Sequence, residues 1–424
     1  MEAGGAGGRT AQLMGMISVS IDSIAAGGDG VGRSNGLVVF VPRTAPGDVV
    51  TAQISGKSHF ARGTLRNIVT ASPSRIDPPC PHYTRDKCGG CQLQHMTYES
   101  QLAGKQVIIR DAVQRIGKRQ VELPMVERSP KEWRYRTKLT LTMKRRGARW
   151  IAGLHPYDDP VGIFALADCP ITDRRVVAAW REIMQADSFF PDAKELRGSV
   201  RITSDGPTFV MMGGRSWDAR DQFSAAVPSL SAVWWEPAEE QPRRLLFDKR
   251  RDRTPSASFA QVNAETAELL RAYVVERVKA HEPASVVDAY AGAGHTAIAL
   301  SETGIKVTAI ELDRDASEWC AGRLRDPSRA IRARVEDALP GVLPADVVLL
   351  NPPRAGVDAR VTETLEKEAE HLRAIVYVSC NPATLARDLS RMPSYSIASM
   401  HGFDMFPQTS HVETVCELRP VKGS

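Results

Sequence analysis

The sequence predicts an α/β protein: a mostly parallel, helix-covered sheet in the C-terminal part, preceded by a small β-barrel and an α+β central region. Three observations carry this. From Ser285 onward, β-branched apolar runs alternate with helical periods, the pattern of parallel strands joined by crossover helices. Residues 14 to 70 hold only short strands punctuated by glycine and proline, the pattern of a small barrel. Two C-terminal strands end in turns that carry chemistry, Gly292 to Gly294 and Ser379-Cys380-Asn381-Pro382, and open α/β sheets bind ligands at such strand ends.

A chain of 424 residues is long enough for two or three domains with a sizeable core. Its 42% hydrophobic and 25% charged residues are ordinary for a soluble globular protein. The formal net charge of +5 points only weakly to a polyanionic partner, so the placement of charge matters more than its sum. No apolar run approaches the roughly 20 residues of a membrane span. The Gly-rich start lacks the apolar centre of a secretory signal, and residues 1–11 are expected to be a flexible tail. Seven unevenly spaced cysteines, in a long chain without an export signal, imply reduced thiols or metal ligands in the cytoplasm rather than disulfides. A monomer is expected.

In the barrel region, residues 12–71, Ile17 to Ile21 alternates with period two and Gly36 to Pro42 is a second strand. Gly27 to Gly32 reads as turn material, and Pro46-Gly47-Asp48 marks another turn before Val49 to Ile54. The central region, residues 72–260, opens with Cys80, Cys88 and Cys91 in a C-x7-C-x2-C spacing, with Cys169 as a fourth candidate far downstream. Four thiolates can hold a tetrahedral zinc or an iron–sulfur cluster, and unliganded structural cysteines are the plainer alternative.

Gln101 to Lys118 spaces its apolar residues along one helical face. Lys131 to Trp150 is strongly basic, with Arg134, Arg136, Lys138, Lys144, Arg145 and Arg146 interleaved with Trp133, Tyr135 and Trp150. Cations bind phosphates and aromatic rings stack on unpaired bases, so this mixture suits single-stranded RNA; a solvated basic hairpin is the alternative.

The last region, residues 261–424, begins with a helical period over Gln261 to Ala280 and a buried strand from Ser285 that ends in a glycine turn. Lys306 to Glu311 is a strand, Asp313 to Arg325 a helix, and Asp346 to Leu350 and Leu372 to Ser379 are further strands. Gly292-x-Gly294-x-x-Ala297 fits a nucleotide-binding turn, and Glu311 closes the next strand where a ribose acceptor belongs. Asp288 and Tyr290 before the glycines, Asn351-Pro352-Pro353-Arg354 after the fourth strand and Cys380 after the fifth favour a methyl donor over a nicotinamide. Arg354, where amino-group methyltransferases place an aromatic residue, argues against that chemistry. Pro382 suits the first turn of a helix, so Cys380 sits at a strand-to-helix turn. It is either a nucleophile or an inert buried thiol.

Gly28-Asp29-Gly30-Val31-Gly32-Arg33, Gly36 to Pro42 and Pro46-Gly47-Asp48 resemble a TRAM domain, an OB-like RNA-binding barrel. Five ordered blocks, Phe259 to Asn263, Asp288 to Gly294, Asn351 to Gly356, Ser379 to Pro382 and Asp404 to Glu413, are similar to the RNA uracil-C5 methyltransferases. Cys88-Gly89-Gly90-Cys91 followed by Gln92-Leu93-Gln94-His95 looks like the iron–sulfur segment of their TRAM-containing, 23S ribosomal RNA branch, although the gap before Cys88 is longer than usual there. The resemblance implies a class I, Rossmann-like S-adenosylmethionine domain, with the cofactor held by Gln261, Tyr290, His295, Glu311, Asp337 and Asn351. The family usually has Asp where Asn351 stands. It further implies a 4Fe-4S cluster on Cys80, Cys88, Cys91 and Cys169.

Uracil C5 is a poor nucleophile until a thiolate adds at C6. The resemblance makes Cys380 that thiolate and Glu413 the base that later removes the C5 proton. Without it, Glu413 reads as a solvated residue on an edge strand. Transfer RNA in place of ribosomal RNA, a non-catalytic RNA-binding protein retaining the fold, and a nicotinamide oxidoreductase are the competing readings.

Overall fold

The computed structural model describes residues 13–57, 60–238, 241–252, 254–255 and 261–421. The expected tail and the Phe259-Ala260 pair of one sequence block lie outside the described residues.

Strands β1 (Leu13–Ile24), β2 (Gly30–Ser34), β3 (Leu37–Val41), β4 (Val49–Lys57) and β5 (Phe60–Thr70) close a barrel in the order β1-β2-β3-β5-β4. Alternate residues such as Val19, Ile21, Val39 and Val41 fill its interior. The expected turn over Gly27 to Gly32 ends early, because β2 already begins at Gly30. A Cβ on Gly30 would lie 2.0 Å from the Thr44 hydroxyl, and one on Gly32 would lie 2.0 Å from the Ser20 carbonyl. These two glycines serve close strand packing, which composition alone does not distinguish from a turn.

After α1 (Pro81–Thr84), α2 (Tyr98–Arg115) and β6 (Met125–Glu127), the chain builds a seven-stranded sheet. Its strands are β7 (Lys138–Arg146), β8 (Arg149–Leu154), β9 (Phe164–Ala165), β10 (Glu195–Thr203), β11 (Gly206–Met212), β12 (Ala232–Glu236) and β13 (Arg244–Asp248), in the order β13-β12-β11-β10-β7-β8-β9. Helices α3 (Arg174–Gln185) and α4 (Arg220–Ala226) cover one face over an aromatic core that includes Trp180, Phe209, Trp217 and Phe223. The aromatic residues of the basic segment belong to the interior. Trp150 lies in this core, while Tyr135 is 3% exposed beside the cysteines with Trp133 packed against it. Tyr135 and Trp150 are thus packing groups, and of the interleaved aromatic residues only the partly buried Trp133 keeps surface for stacking on a base.

The third body follows α5 (Ala264–Lys279), whose first turn is capped by the Asn263 side chain. Its elements are β14 (Ser285–Ala289), α6 (His295–Ser301), β15 (Lys306–Glu311), α7 (Arg314–Ala321), β16 (Arg329–Arg332), α8 (Val335–Ala338), β17 (Val347–Leu350), α9 (Ala359–Lys367), β18 (Ala374–Ser379), α10 (Pro382–Ser390), β19 (Tyr395–Phe403) and β20 (Glu413–Pro420). The eight-stranded sheet runs β16-β15-β14-β17-β18-β20-β19-β6. Strands β14 to β18 are mutually parallel, and β20 enters antiparallel to both neighbours. The helix expected over Asp313 to Arg325 is shorter, because Asp313 caps it and Gly322 follows its last residue. In the glycine turn, Gly292 and Gly294 both have positive φ, and a Cβ on Gly294 would meet Cys320 Sγ at 2.2 Å.

Residues 72–260 do not form one body. Strand β6 is the edge of the C-terminal sheet, and Val113 of α2 belongs to the core of that sheet. A contiguous cut at residue 260 misses this, because the apolar face of α2 is completed by residues almost three hundred positions later. The tie is polar as well as apolar. Lys105 Nζ donates to Asp404 Oδ1 at 2.5 Å and to the Phe406 carbonyl at 3.1 Å, with both charged side chains 0% exposed. Gln101 exchanges two hydrogen bonds with Gln408. Removing one member of such a pair strands a buried charge. Lys105→Met is expected to lower unfolding stability by about 3–5 kcal/mol, and Lys105→Met with Asp404→Leu to recover most of it. Urea denaturation of the three proteins measures both.

Candidate active site

Strand β18 delivers Ser379 to the carboxyl edge of the sheet. Asn381 then caps α10, its side chain accepting from Ala383 N at 3.1 Å. Cys380 lies between them, half-buried, just before the positive end of that helix. Glu413 opens β20. The register of β18 and β20 pairs Ser379 with Thr414, which carries Cys380 to the position opposite Glu413. Strand β20 is interior and Glu413 is 3% exposed, so the solvated edge-strand alternative is corrected.

Burial pushes the Glu413 carboxyl up to about 7, against the pull of the Arg354 guanidinium and the Gln261 side chain. Burial and the neighbouring Glu413 push the Cys380 thiol up, while Arg354 pulls it down. Arg354 therefore serves both groups. Its backbone is fixed from α10, since its carbonyl accepts from Asn381 Nδ2 at 3.4 Å and from the Thr384 hydroxyl at 3.3 Å. Sequence reading assigned Arg354 no role at the site. The signal available was its position, directly after Asn351-Pro352-Pro353 at a strand end.

The loop from Asp404 to His411 leads into Glu413 and is held from all sides. Tyr135 Oη donates to the Pro407 carbonyl at 3.0 Å, Gln92 N and Leu93 N both donate to the Gln408 carbonyl, and Ser410 Oγ donates to the Ala26 carbonyl at 2.8 Å. Asn263 Nδ2 donates to the Met405 carbonyl at 3.4 Å and to Ser129 Oγ at 2.9 Å.

The expected cofactor residues lie mostly at adjacent strand ends. Tyr290 and Gly292 follow β14, Glu311 ends β15 and Asn351 follows β17. Glu311 Oε2 accepts from Gly292 N at 2.8 Å, and nothing lies within 4 Å of a Cβ built on Gly292, so the turn has open space above it. Tyr290 is held at φ +64, an uncommon conformation for a bulky residue, which turns the chain sharply out of β14. Asp288 beneath the turn is pushed up to about 7 by burial. His295 is the first residue of α6. Asp337 is placed on α8 and accepts from Arg360 Nη1 at 2.8 Å. Gln261 is placed against Glu413. An open glycine turn beside the Glu311 carboxylate, whose Oε1 also accepts from Asp313 N at 2.7 Å, fits S-adenosylmethionine.

Cys80, Cys88, Cys91 and Cys169 line a single cavity of about 130 Å³. Cys80 immediately precedes α1, and Gly90 N donates to Cys88 Sγ at 3.4 Å. Burial pushes Cys88 up to about 11 and raises Cys91 and Cys169, which also feel one another's charge. Among the described residues, no group of three or more His, Cys, Asp or Glu is arranged to hold a metal ion. The four thiols still supply the soft donor set of a thiolate-bound cluster around one cavity.

The basic residues divide. Arg134 makes a two-pronged pair with Asp168, at 2.6 and 2.9 Å, and also donates to the carbonyls of Cys169 and Thr172. Arg136 lines the cysteine cavity. Lys144 reaches Glu195 at 3.2 Å and Arg145 reaches Asp192 at 3.2 Å, while Arg146 is exposed at the end of β7.

Fold and strand-end layout together are those of a Rossmann-like methyltransferase with an N-terminal barrel. Comparison with known proteins agrees. Residues 333–420 match the tRNA (Uracil-5-)-methyltransferase family model, and residues 16–65 match the TRAM domain. An uncharacterized RNA methyltransferase from Gloeobacter violaceus is 32% identical over 445 residues, covering 95% of this chain and 96% of that protein. One from Nostoc is 31% identical, with 95% and 96% covered. The tRNA (uracil-54, C5)-methyltransferase of Pyrococcus abyssi, solved with S-adenosyl-L-homocysteine, shares the fold at a TM-score of 0.68 and 24% identity, covering 96% of this chain and 100% of that one. The chain belongs to the RNA methyltransferase family of these relatives, with the uracil-5 family model matching its C-terminal residues 333–420, and it is an enzyme. Among the described residues no helix is long and apolar enough to cross a membrane.

The position of Glu413 sets a pH test. Its folded pKa, about 7, is raised above its ordinary value of 4.5, so its contribution to stability is fully present below about pH 4.5 and is lost as pH rises through about 7. Glu413→Gln should therefore leave the melting temperature nearly unchanged at pH 4 to 5. At pH 8 it should raise stability by up to about 3 kcal/mol. Denaturation of both proteins across this range is the measurement, and a constant difference would mean that Glu413 titrates as a solvated carboxyl.

Proposed function

We propose that the protein methylates C5 of a uracil in RNA through a covalent adduct with Cys380. The observation that carries this is the placement of Cys380 opposite Glu413, with Arg354 acting on both. The Cys380 thiolate adds to C6, and the electron pair of the C5=C6 bond moves into the ring as an enolate with density at C5. S-adenosylmethionine, when bound over the glycine turn by Tyr290, Glu311 and Asn351, would supply the electrophilic methyl group that C5 takes, its S–CH3 electron pair remaining on the sulfur of the departing S-adenosylhomocysteine. Glu413, as carboxylate, then accepts the C5 proton. The C–H electron pair restores the C5=C6 bond and expels the sulfur as thiolate. Gln261 holds Glu413 by its amide, and His295 and Asp337 remain candidates for further cofactor contacts.

We further infer that Cys80, Cys88, Cys91 and Cys169 hold a 4Fe-4S cluster with a structural role, because no step above transfers an electron. The shared cavity and the all-sulfur donor set support this. Ribosomal RNA is the favoured substrate, on the TRAM-and-cysteine resemblance. Transfer RNA is the second reading, favoured by the target named for the Pyrococcus relative. Of the basic residues, Lys138 and Arg146 are the best placed to meet RNA, with Lys144 and Arg145 able to exchange their exposed carboxylate partners for phosphate. Arg134 and Arg136 support the cysteine cavity. Mapping 5-methyluridine in ribosomal and transfer RNA from a strain lacking the gene decides between the substrates.

Cys380→Ala is expected to abolish methylation while leaving S-adenosylmethionine binding intact, because the thiol meets the base. Glu413→Gln should still add and methylate but stall before elimination. It should accumulate a labelled protein–RNA band on a denaturing gel, and that band should vanish in the double variant. Normal turnover by Glu413→Gln removes it as the base, and an active Cys380→Ala overturns the adduct. Protein purified without oxygen should be brown and carry iron; a colourless protein with stoichiometric zinc would sink the cluster.

A further inference from the structure

The buried cations Lys105 and Arg250 each meet a carboxylate, Asp404 and Asp248, as the partly buried Arg75 meets Asp48. Lys138 and Arg201 depart from that pattern. They are directly opposite each other in the antiparallel register of β7 and β10. Their neighbours Leu139 and Val200 point into the aromatic core, so both cations lie on the other face of the sheet. Arg201 is 9% exposed, and its Nη2 has no hydrogen-bond partner. Among the described residues, no carboxylate acts on either cation; the charges that Lys138 feels, from Arg201, Arg136 and Arg243, are all positive. Like charges opposite each other on a sheet repel, and an unpaired buried guanidinium is costly. Such an arrangement persists where a ligand or a function offsets it.

Its place in the fold indicates the ligand. Ile202 N donates to the Thr137 carbonyl at 2.9 Å, and Thr137 N donates to the Val262 carbonyl at 2.8 Å. Val262 follows Gln261, whose side chain reaches Glu413. The cation pair thus adjoins the seam that leads to the catalytic base. Arg243 and Arg250 nearby each have a carboxylate, Glu236 and Asp248.

We propose that Lys138 and Arg201 form a preformed site for one backbone phosphodiester of the substrate RNA, beside the base held between Cys380 and Glu413. This rests on the RNA-methylating reading above and adds Arg201, which the sequence did not single out. One anion between the two cations turns a repulsion into two attractions, and the free Nη2 donates to it.

The test measures binding of a uridine-containing single-stranded RNA against salt concentration, together with the melting temperature of the RNA-free protein. Wild type, Lys138→Gln and Arg201→Gln are compared. Each variant should bind about tenfold more weakly, with a salt slope smaller by about 0.7. Each should melt no lower than wild type, because a repulsion has been removed. A lower melting temperature with unchanged affinity and slope would make Arg201 structural and overturn the site. So would inorganic phosphate stabilising wild type alone while RNA binding stays unchanged in both variants, since the site would then serve the free ion. If Arg201→Gln does not fold, Arg201→Lys and Lys138→Gln decide: the first should keep the salt slope and the second should lose it. A wild type that binds RNA with these slopes but transfers no methyl group leaves this site standing and removes the catalytic reading. A wild type that methylates RNA, with variants that bind like it, removes this site alone.

Discussion

The buried pair of Lys105 and Asp404 is the constraint on which the catalytic end depends. Two charges taken wholly out of water are tolerable only together and in good geometry. Here the geometry is supplied by α2 on one side and the turn after β19 on the other. Asp404 Oδ1 also accepts from Phe406 N at 3.2 Å, so the same carboxylate that anchors Lys105 folds the turn it stands on. The turn then continues to Gln408, where Gln101 and the backbone of the cysteine segment take hold, and to Ser410, where the barrel does. Glu413 follows. Three stretches far apart in the sequence, α2, the cysteine segment and the barrel, thus converge on the few residues that aim one carboxylate. An apolar patch would have stabilised the contact as well, but it would not have fixed the register of a loop so closely as directional hydrogen bonds do.

That fixed loop explains how two groups with conflicting needs share a site. The proposed reaction asks for a thiolate at its start and a carboxylate at its end. Burial disfavours both anions, and each anion disfavours the other. Arg354 beside both relieves part of the cost. The order of events relieves more: once the sulfur is bonded to carbon it carries no charge, and the carboxylate no longer faces a neighbouring anion. The base therefore becomes easier to ionise at the stage that uses it. A helix N-terminus behind Cys380 favours the thiolate before that stage.

Much of this was legible in the residues. The parallel sheet, the glycine turn, Asn381-Pro382 as a helix start and Cys380 at a strand end all follow from local pattern, because each depends on a few consecutive residues. The expected strand from Lys306 to Glu311 has the observed bounds. What local pattern does not hold is pairing. Gly30 and Gly32 looked like a turn because their steric reason lies in Ser20 and Thr44. The burial of Glu413 depends on β20 entering between β18 and β19, an order that no short window contains. The bond between Lys105 and Asp404 spans 299 positions.

The basic segment shows the same limit from the side of function. A count of cations registers donors but not what they already hold. Arg134 is as basic as its neighbours in the sequence, yet in the fold its guanidinium is committed to Asp168 and two carbonyls beside the cysteines. Arg201 stands outside the basic segment and draws no attention there, yet strand pairing sets it against Lys138 with no counter-charge among the described residues. A cation already satisfied within the fold must surrender those bonds to bind phosphate, and the exchange gains little. A desolvated cation with no partner gives up nothing when an anion arrives. Affinity for a polyanion therefore follows the charge that the fold leaves unneutralised, and that quantity is set by the tertiary structure rather than by composition.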